Sequence, residues 1–137
     1  MENASIFTEV ASQDVRTQND DLNVLIVEDE AMILLDLSMS LESLGFHVAG
    51  EAMSIDEGFR LAKANKPDVA VLDINVGADP VWPLARQLAS NGVAIVFVSA
   101  NLNHPELMTE FASSPRLSKP ATDRRVVEAI YTAAREI

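Results

Sequence analysis

The sequence predicts an α/β protein in which a five-stranded parallel sheet carries helices on both faces. Two observations lead to this prediction. Short runs of aliphatic, often β-branched residues occur five times along the chain, and segments with apolar residues at three- and four-residue steps separate them. The links between these segments are short, and regular alternation of strand and helix is typical of a parallel sheet covered by its crossover helices.

The first strand is predicted at "NVLIVE", residues 23–28, because an unbroken apolar run is typical of a strand buried on both faces. Gly45 lies where a glycine commonly ends a helix, and "FHVAGEA", residues 46–52, then forms a short second strand. The first helix lies between these strands, and its apolar residues are Ile33, Leu34, Leu37, Leu41 and Leu44.

A capping box opens the second predicted helix. Ser54 is followed three residues later by Glu57, the spacing at which a hydroxyl and a carboxylate cap each other's backbone amides. This helix is expected to end near Asn65, and "VAVL", residues 69–72, forms the third strand.

The third and fourth helices flank a fourth strand at "AIVFVS", residues 94–99. Pro83 suits the first turn of the third helix, and Gly92 marks its end. Asn103 and Glu106 repeat the capping spacing and predict the start of the fourth helix. The apolar residues of that helix are Leu107, Met108 and Phe111.

The last two predicted elements are a short strand near Leu117 and a final helix. The apolar stripe of this helix consists of Val126, Val127, Ile130, Tyr131 and Ala134. In open parallel sheets, ligands bind just beyond the carboxyl ends of the strands, so the residues at those ends are the candidates for function.

Length and composition narrow the possible classes. The 137 residues suit one domain, and we expect residues 1–21 to form a flexible tail ahead of a folded domain at residues 22–137. The absence of cysteine excludes disulfides and thiol chemistry. A net charge of −11 disfavours nucleic acid and anionic membranes as partners. No segment resembles a signal peptide or the ~18-residue apolar stretch of a membrane helix, so we expect a cytoplasmic protein.

Five polar residues lie at the carboxyl ends of the predicted strands or directly beyond them. Glu28 and Asp29 end the first strand, Asp73 the third and Ser99 the fourth, and Lys119 follows the fifth. Two carboxylates ~4 Å apart repel by ~4 kcal/mol at an effective dielectric near 20, so this cluster requires a compensating cation. Oxygen ligands alone favour Mg²⁺. The same set suits phosphate chemistry, because a carboxylate can accept a phosphoryl group while a lysine and a hydroxyl bind its oxygens.

The segments "VLIVEDE", "VAVLDINVG", "IVFVSA" and "LSKP" together resemble the receiver domain of bacterial two-component response regulators. The resemblance covers about residues 22–136 and implies a flavodoxin-like sheet of strand order 2-1-3-4-5. It also implies that Asp73 accepts a phosphoryl group and binds Mg²⁺ together with Asp29. Glu28, where the family usually has Asp, would act on the metal through water, and Asn75 would offer its backbone carbonyl.

The resemblance also assigns roles around the phosphoryl group. Ser99 would hydrogen-bond it and shift when it arrives, and Lys119 would pair with the acceptor carboxylate and then with the phosphoryl oxygens. Pro120 would follow a cis peptide bond. The small side chain of Ala100 would leave the site open, and Asn101 beside it would belong to the residues that tune the switch.

The chain departs from the family pattern at two positions. Arg116 stands three residues before Lys119, where receivers commonly carry Tyr or Phe, and Ala121 replaces the usual Phe after "KP". We therefore expect switching by rearrangement of the loop and fourth helix after Ser99, without a rotating aromatic ring. Trp82 in "NVGADPVWP" suggests a subclass of stand-alone receivers, although "ANLN" departs from the subclass pattern.

Three functions follow from the residues and the resemblance. The first is a single-domain response regulator that receives its phosphoryl group from a sensor histidine kinase or phosphotransfer protein. It would alter a downstream protein partner or act as a phosphate sink, as a monomer or weak homodimer, without enzymatic activity beyond slow self-dephosphorylation. The second is a receiver-like binding module that acts without phosphorylation. The third, an Asp-nucleophile phosphohydrolase, is disfavoured because the chain has no segment to enclose a substrate.

Overall fold

A computed structural model describes residues 22–135, so the predicted tail at residues 1–21 lies outside the described residues. Five parallel strands form the main sheet: β1 (Asn23–Val27), β2 (His47–Ala52), β3 (Val69–Leu72), β6 (Ala94–Ser99) and β7 (Arg116–Ser118). Two short strands, β4 (Asn75–Val76) and β5 (Asp79–Pro80), pair as an antiparallel hairpin. The helices are α1 (Ala31–Ser43), α2 (Ile55–Asn65), α3 (Trp82–Ser90), α4 (Pro105–Met108) and α5 (Asp123–Arg135).

The strand order of the main sheet is β2-β1-β3-β6-β7. It confirms the predicted order 2-1-3-4-5, since β6 and β7 are the fourth and fifth strands of this sheet. The central strand β3 lies between β1 and β6, and its four residues are all buried. This position explains its unbroken apolar sequence, because both of its faces are covered by helices.

Each face of the sheet carries its own apolar core. Alternate residues of a strand point to opposite faces, so Leu25 and Val27 join α2 and α3 on one side while Val24 and Ile26 join α1 and α5 on the other. Helices cover both faces, as predicted, and Leu107 of α4 also belongs to the core beside α2 and α3. Among residues 22–135, no helix combines the length and apolar character that crossing a membrane would require.

Most predicted helix boundaries are confirmed. Gly45 has a φ of 98°, and its amide donates to the Glu42 carbonyl while the Phe46 amide donates to the Leu41 carbonyl, which closes α1 with a glycine-dependent motif. Ser54 Oγ accepts from the Glu57 amide at 3.1 Å and so caps α2.

The apolar stripe of α1 is narrower than predicted. The buried residues of this helix are Leu34, Ser38 and Leu41, whereas Ile33 and Leu44 are exposed. Residues 34, 38 and 41 share one face at helical spacing, and Ile33 and Leu44 lie at the edges of that face.

The fourth helix is much shorter than predicted. The helix α4 has four residues and begins after His104, and Asn103 does not cap it. Phe111 lies in the turns beyond α4, where its amide donates to the Glu106 carbonyl at 2.9 Å. A longer helix would instead need the Leu107 carbonyl for this amide, and the Arg116 guanidinium occupies that carbonyl.

Candidate functional site

The aspartate at the end of β3 lies at the centre of the carboxyl edge of the sheet. The Asp73 amide continues the sheet by donating to the Val27 carbonyl at 3.0 Å, which fixes the backbone from which the carboxylate projects. Asp73 is 8% exposed. A carboxylate this buried requires a partner, because burial without one is costly.

Lys119 supplies that partner and also binds a second carboxylate. Its Nζ lies 2.9 Å from Asp73 Oδ2 and 2.6 Å from Glu28 Oε1. Its backbone amide donates to the Ser99 carbonyl at 2.9 Å, and the bond from Lys119 to Pro120 is cis, as predicted. Lys119 therefore joins residues from the ends of β1, β3 and β6 at one point.

The burial of these charges shifts two pKa values. Burial raises the pKa of the Glu28 carboxyl above 4.5, against the opposing effect of the Lys119 hydrogen bond. Burial acts to lower the pKa of the Lys119 ammonium, but its hydrogen bonds to Glu28 and Asp73 outweigh burial and raise that pKa above 10.5. The geometry accounts for both directions: Glu28 is 4% exposed and close to Asp73, whereas Lys119 faces two acceptors.

Glu28, Asp29 and Asp73 also form a group that can hold a metal ion, with one oxygen of each within 4.8 Å of the others. All three donors are carboxylates, which suits a hard cation such as Mg²⁺. The Gly77 amide in the β4–β5 turn donates to Asp29 Oδ2 at 2.8 Å and holds this carboxylate towards the hairpin. Asn75 begins β4 two residues beyond Asp73, and its side chain is exposed.

Ser99 ends β6 next to this cluster and is 2% exposed. Its Oγ accepts a hydrogen bond from the Asn101 amide at 3.4 Å, which is long for such a bond. Ala100 and Asn101 are exposed at the start of the loop that leads to α4. The hydroxyl of Ser99 keeps its own proton available for another acceptor.

Arg116, the third predicted switch residue, lies away from the carboxylates. It pairs with Phe97 at the start of β7, and its guanidinium points to the turns after α4. The structure therefore brings Glu28, Asp29, Asp73, Ser99 and Lys119 together at one edge and places Arg116 beyond them.

Three contacts were not predicted from the sequence. The direct pairing of Lys119 with Glu28 and the amide of Gly77 on Asp29 both depend on how neighbouring loops fold back. A bidentate ion pair, in which Arg86 Nε and Nη2 each lie 2.8 Å from a Glu110 oxygen, joins α3 to the turns after α4. For the contact between Gly77 and Asp29, the sequence offered one indication, which is a glycine four residues after Asp73 at the end of β3.

The similarity to known proteins covers nearly all of the described chain. The sequence profile described as the response regulator receiver domain matches residues 24–131. The transcriptional regulatory protein PdtaR of Mycobacterium tuberculosis is 30% identical over 113 residues, which are 80% of this chain and 55% of that protein. The chain spans about half the length of curated relatives that it matches, PdtaR among them.

Solved structures show the same architecture. The response regulator PhyR from Brucella abortus superposes with a TM-score of 0.73 at 27% identity, over 93% of this chain and 53% of that one. A response regulator from Burkholderia pseudomallei, solved with a phosphorylated aspartic acid, a calcium ion and citrate, superposes with a TM-score of 0.74 at 25% identity. That match covers 85% of this chain and 70% of the other.

Proposed function

This chain belongs to the family of response regulator receiver domains, and from that premise we propose that Asp73 is its phosphoryl acceptor. The donor would be a phosphohistidine on a sensor histidine kinase or phosphotransfer protein, and Mg²⁺ would assist the transfer. One observation carries the proposal: the buried Asp73 carboxylate has the Lys119 ammonium at 2.9 Å and two further carboxylates in metal-binding distance.

The transfer follows from the chemistry of these groups. A carboxylate oxygen of Asp73 forms a bond to phosphorus while the bond from phosphorus to the histidine nitrogen breaks, and that nitrogen keeps the electron pair. Lys119 then stays beside the site and neutralises phosphoryl oxygens, and the Ser99 hydroxyl donates a hydrogen bond to one of them. Asp29, Asp73 and the Asn75 carbonyl would hold Mg²⁺, with Glu28 acting on the ion through water, and the ion would offset the charge of the phosphoryl group.

The surroundings support this assignment. Ala100 is exposed and small, so the side from which a donor approaches is open, with Asn101 beside it. The Burkholderia pseudomallei regulator with a phosphorylated aspartic acid and a calcium ion has the same fold. In this chain, the acidic cluster is suited to bind a divalent cation, and Lys119 is suited to bind phosphoryl oxygens.

The output would be a change in binding to a protein partner or the draining of phosphoryl groups from a kinase. The exposed methionines fit the first of these. Met32 and Met39 on α1 are 73% and 60% exposed, and Met53 and Met108 are also exposed, so none of the four fills the core. Flexible apolar side chains of this kind are common on protein-binding surfaces. The chemistry of the chain itself would be limited to slow loss of its own phosphoryl group.

Phosphorylation of the purified chain tests the proposal. With Mg²⁺ and acetyl phosphate, the wild type should gain the mass of one phosphoryl group, and Asp73→Asn should gain none. Asp79→Asn is the matched control, because Asp79 is an exposed carboxylate in the nearby hairpin, and it should be labelled like the wild type. Chelation of Mg²⁺ should abolish the labelling.

An unlabelled wild type, with acetyl phosphate and with a kinase as donor, would contradict the proposal. It would favour the alternative of a receiver-like module that binds proteins without phosphorylation, for which the departures at Arg116 and Ala121 are the sequence evidence. Equal labelling of Asp73→Asn would place the acceptor elsewhere.

A further inference from the structure

The guanidinium of Arg116 makes an unusual set of contacts with backbone carbonyls. Its Nη1 donates to the Leu107 carbonyl at 2.5 Å, and its Nη2 donates to the carbonyls of Phe111, Ala112 and Ser114 at 2.8, 2.9 and 3.0 Å. Its Nε also lies 3.3 Å from the Ser114 carbonyl. One side chain thus ties together the end of α4 and the turns that follow it.

The segment at residues 105–115 has little regular structure of its own. After the four residues of α4, the chain continues in turns, in which the Ser114 amide donates to the Phe111 carbonyl at 3.1 Å. A planar guanidinium carries five donors in fixed directions, whereas an ammonium offers three from a single nitrogen, so arginine can bind more of the carbonyls in these turns at once than lysine can. Arg116 therefore adds hydrogen bonds to several carbonyls of this segment beyond those that the segment makes within itself.

The same segment is directly connected to the phosphorylation site. Residues 100–104 link Ser99 to α4, and the loop is held at its start by the Asn101 amide on Ser99 Oγ. Within the loop, Asn101 Oδ1 accepts from the Asn103 amide at 2.9 Å. A shift of the Ser99 hydroxyl towards a phosphoryl oxygen would break the long contact with the Asn101 amide and free the start of the loop.

We propose that Arg116 is a positioning residue that latches residues 105–115 in the resting arrangement and so opposes the rearrangement that phosphorylation of Asp73 drives. This inference rests on the proposed function. Receivers commonly carry an aromatic ring that rotates at this position. Arg116 instead makes hydrogen bonds to backbone carbonyls, and these must break before the segment can rearrange. Its guanidinium contacts neither the phosphoryl site nor the metal site, so it acts only through the conformation of the segment.

The proposal has a thermodynamic consequence that a purely structural role lacks. If the latched state binds a phosphoryl group weakly, the latch reduces the population of the competent state and weakens apparent binding by the same factor. Removal of the latch then strengthens binding at Asp73. Simple damage to the fold would instead weaken binding or leave it unchanged.

Beryllofluoride with Mg²⁺, a stable phosphoryl mimic, allows the measurement on the full chain by backbone-amide NMR. We expect Arg116→Ala to bind the mimic about fivefold or more tightly than the wild type, since the competent population rises. Amide hydrogen exchange across residues 105–115 should be faster in the unliganded variant. In the wild type, the mimic should shift the amide signals of residues 100–115.

Two further variants separate the latch from general effects. Arg116→Lys keeps the charge but not the planar donor set, and it should give an intermediate affinity. Arg125→Ala removes an exposed arginine from α5 and should match the wild type in affinity and exchange. If Arg116→Ala is poorly folded, Arg116→Lys alone still carries the test, with tighter binding than the wild type as the expected result.

The outcomes distinguish this inference from the proposed function. A wild type that does not bind the mimic contradicts phosphorylation at Asp73 itself. A wild type that binds, together with Arg116 variants of equal or weaker affinity, overturns the latch while leaving the acceptor in place. Tighter binding without faster exchange at residues 105–115 would also overturn it, because the segment would not be what Arg116 holds.

Discussion

At the residue scale, Lys119 is the contact on which the candidate site depends. Its ammonium is shared between Asp73 and Glu28, two carboxylates that the sheet holds in a largely buried position. Removal of one member of such a group leaves the others as uncompensated charges, which costs more than the pair itself contributes. The lysine is thus a structural requirement of the resting site as well as a candidate ligand of phosphoryl oxygens.

Replacement of Lys119 by methionine should therefore destabilise the metal-free protein. We expect the free energy of unfolding at pH 7 to fall by about 3 kcal/mol, the low end of the range for breaking a buried pair. A carboxyl with a raised pKa, such as that of Glu28, favours folding below its ordinary value of 4.5, and that contribution is lost as pH rises through the folded value. Loss of the Lys119 hydrogen bond, which lowers the Glu28 pKa, should raise that pKa further in the variant. The variant then gains more from protonation than the wild type, so its deficit should shrink as pH is lowered from 7 towards 4.5.

Urea unfolding of both proteins at several pH values measures this effect. Lys63→Met, which removes an exposed lysine from the last turn of α2, is the control and should change stability little. An equally stable Lys119→Met would show that the two carboxylates do not need the ammonium.

Gly77 offers a second test at the residue scale. Its φ is 63°, and a Cβ placed there would meet no atom within 4 Å, so any cost of substitution is conformational. Gly77→Ala should lower the free energy of unfolding by about 1 kcal/mol, whereas Gly77→Asn should lower it less, because asparagine tolerates a positive φ. The ranking can be measured by urea unfolding, and equal losses in the two variants would contradict it.

At the scale of elements, the segment after α4 is the part of the molecule that packs by long-range contacts. Phe111 stacks on Trp82 with ring centroids 5.8 Å apart and meets Phe97 edge-on at 5.3 Å. The ion pair between Arg86 and Glu110 ties the same segment to α3. These contacts join α3, β6 and the turns before β7 into one unit.

The ion pair between α3 and this segment predicts a measurable titration. The hydrogen bond from Arg86 holds the pKa of the Glu110 carboxyl below 4.5. A depressed pKa means that the contribution to stability is present above 4.5 and is lost as pH falls through the folded value. In Arg86→Gln, the Glu110 pKa measured by side-chain carboxyl NMR should rise towards 4.5, and an unchanged value would show that the pair does not persist in solution.

The same segment shows why one helix was predicted wrongly. The spacing of Asn103 and Glu106, followed by Leu107, Met108 and Phe111, is locally that of a capped amphipathic helix. The Arg116 guanidinium, nine residues beyond Leu107, donates to the carbonyl that the next turn would use, and the Phe111 amide bonds to the Glu106 carbonyl instead. The residue spacing within residues 103–111 does not show this contact from beyond the segment.

At the scale of the whole molecule, the negative net charge determines how the protein responds to cations. A net charge of −11 on 137 residues, with three carboxylates gathered at one edge of the sheet, favours any state that binds a divalent cation there. Binding to the folded state alone stabilises it, by about 1.4 kcal/mol at ten times the dissociation constant.

Mg²⁺ should therefore raise the thermal midpoint of the wild type in a saturable manner, measured by scanning calorimetry at constant ionic strength. Asp29→Asn should lose most of this increase, because it removes one of the three carboxylates. NaCl at matched ionic strength is the control for general screening of charge. An increase that is as large with NaCl, or that persists fully in Asp29→Asn, would argue against a specific site.

The sequence by itself determined the fold class, the strand order through the family resemblance, and the strand-end positions of Glu28, Asp29, Asp73, Ser99 and Lys119. The fold class and the strand-end positions depend on periodicity and on short spacings, which local physical chemistry dictates, whereas the strand order came from the family resemblance. Only the tertiary structure decided that Lys119 binds Glu28 as well as Asp73, that Gly77 holds Asp29, and that Arg116 binds the turns after α4. The first two contacts join segments far apart in the chain, and the third joins residues up to nine positions apart. The geometry of each is set by how the packed elements place their loops.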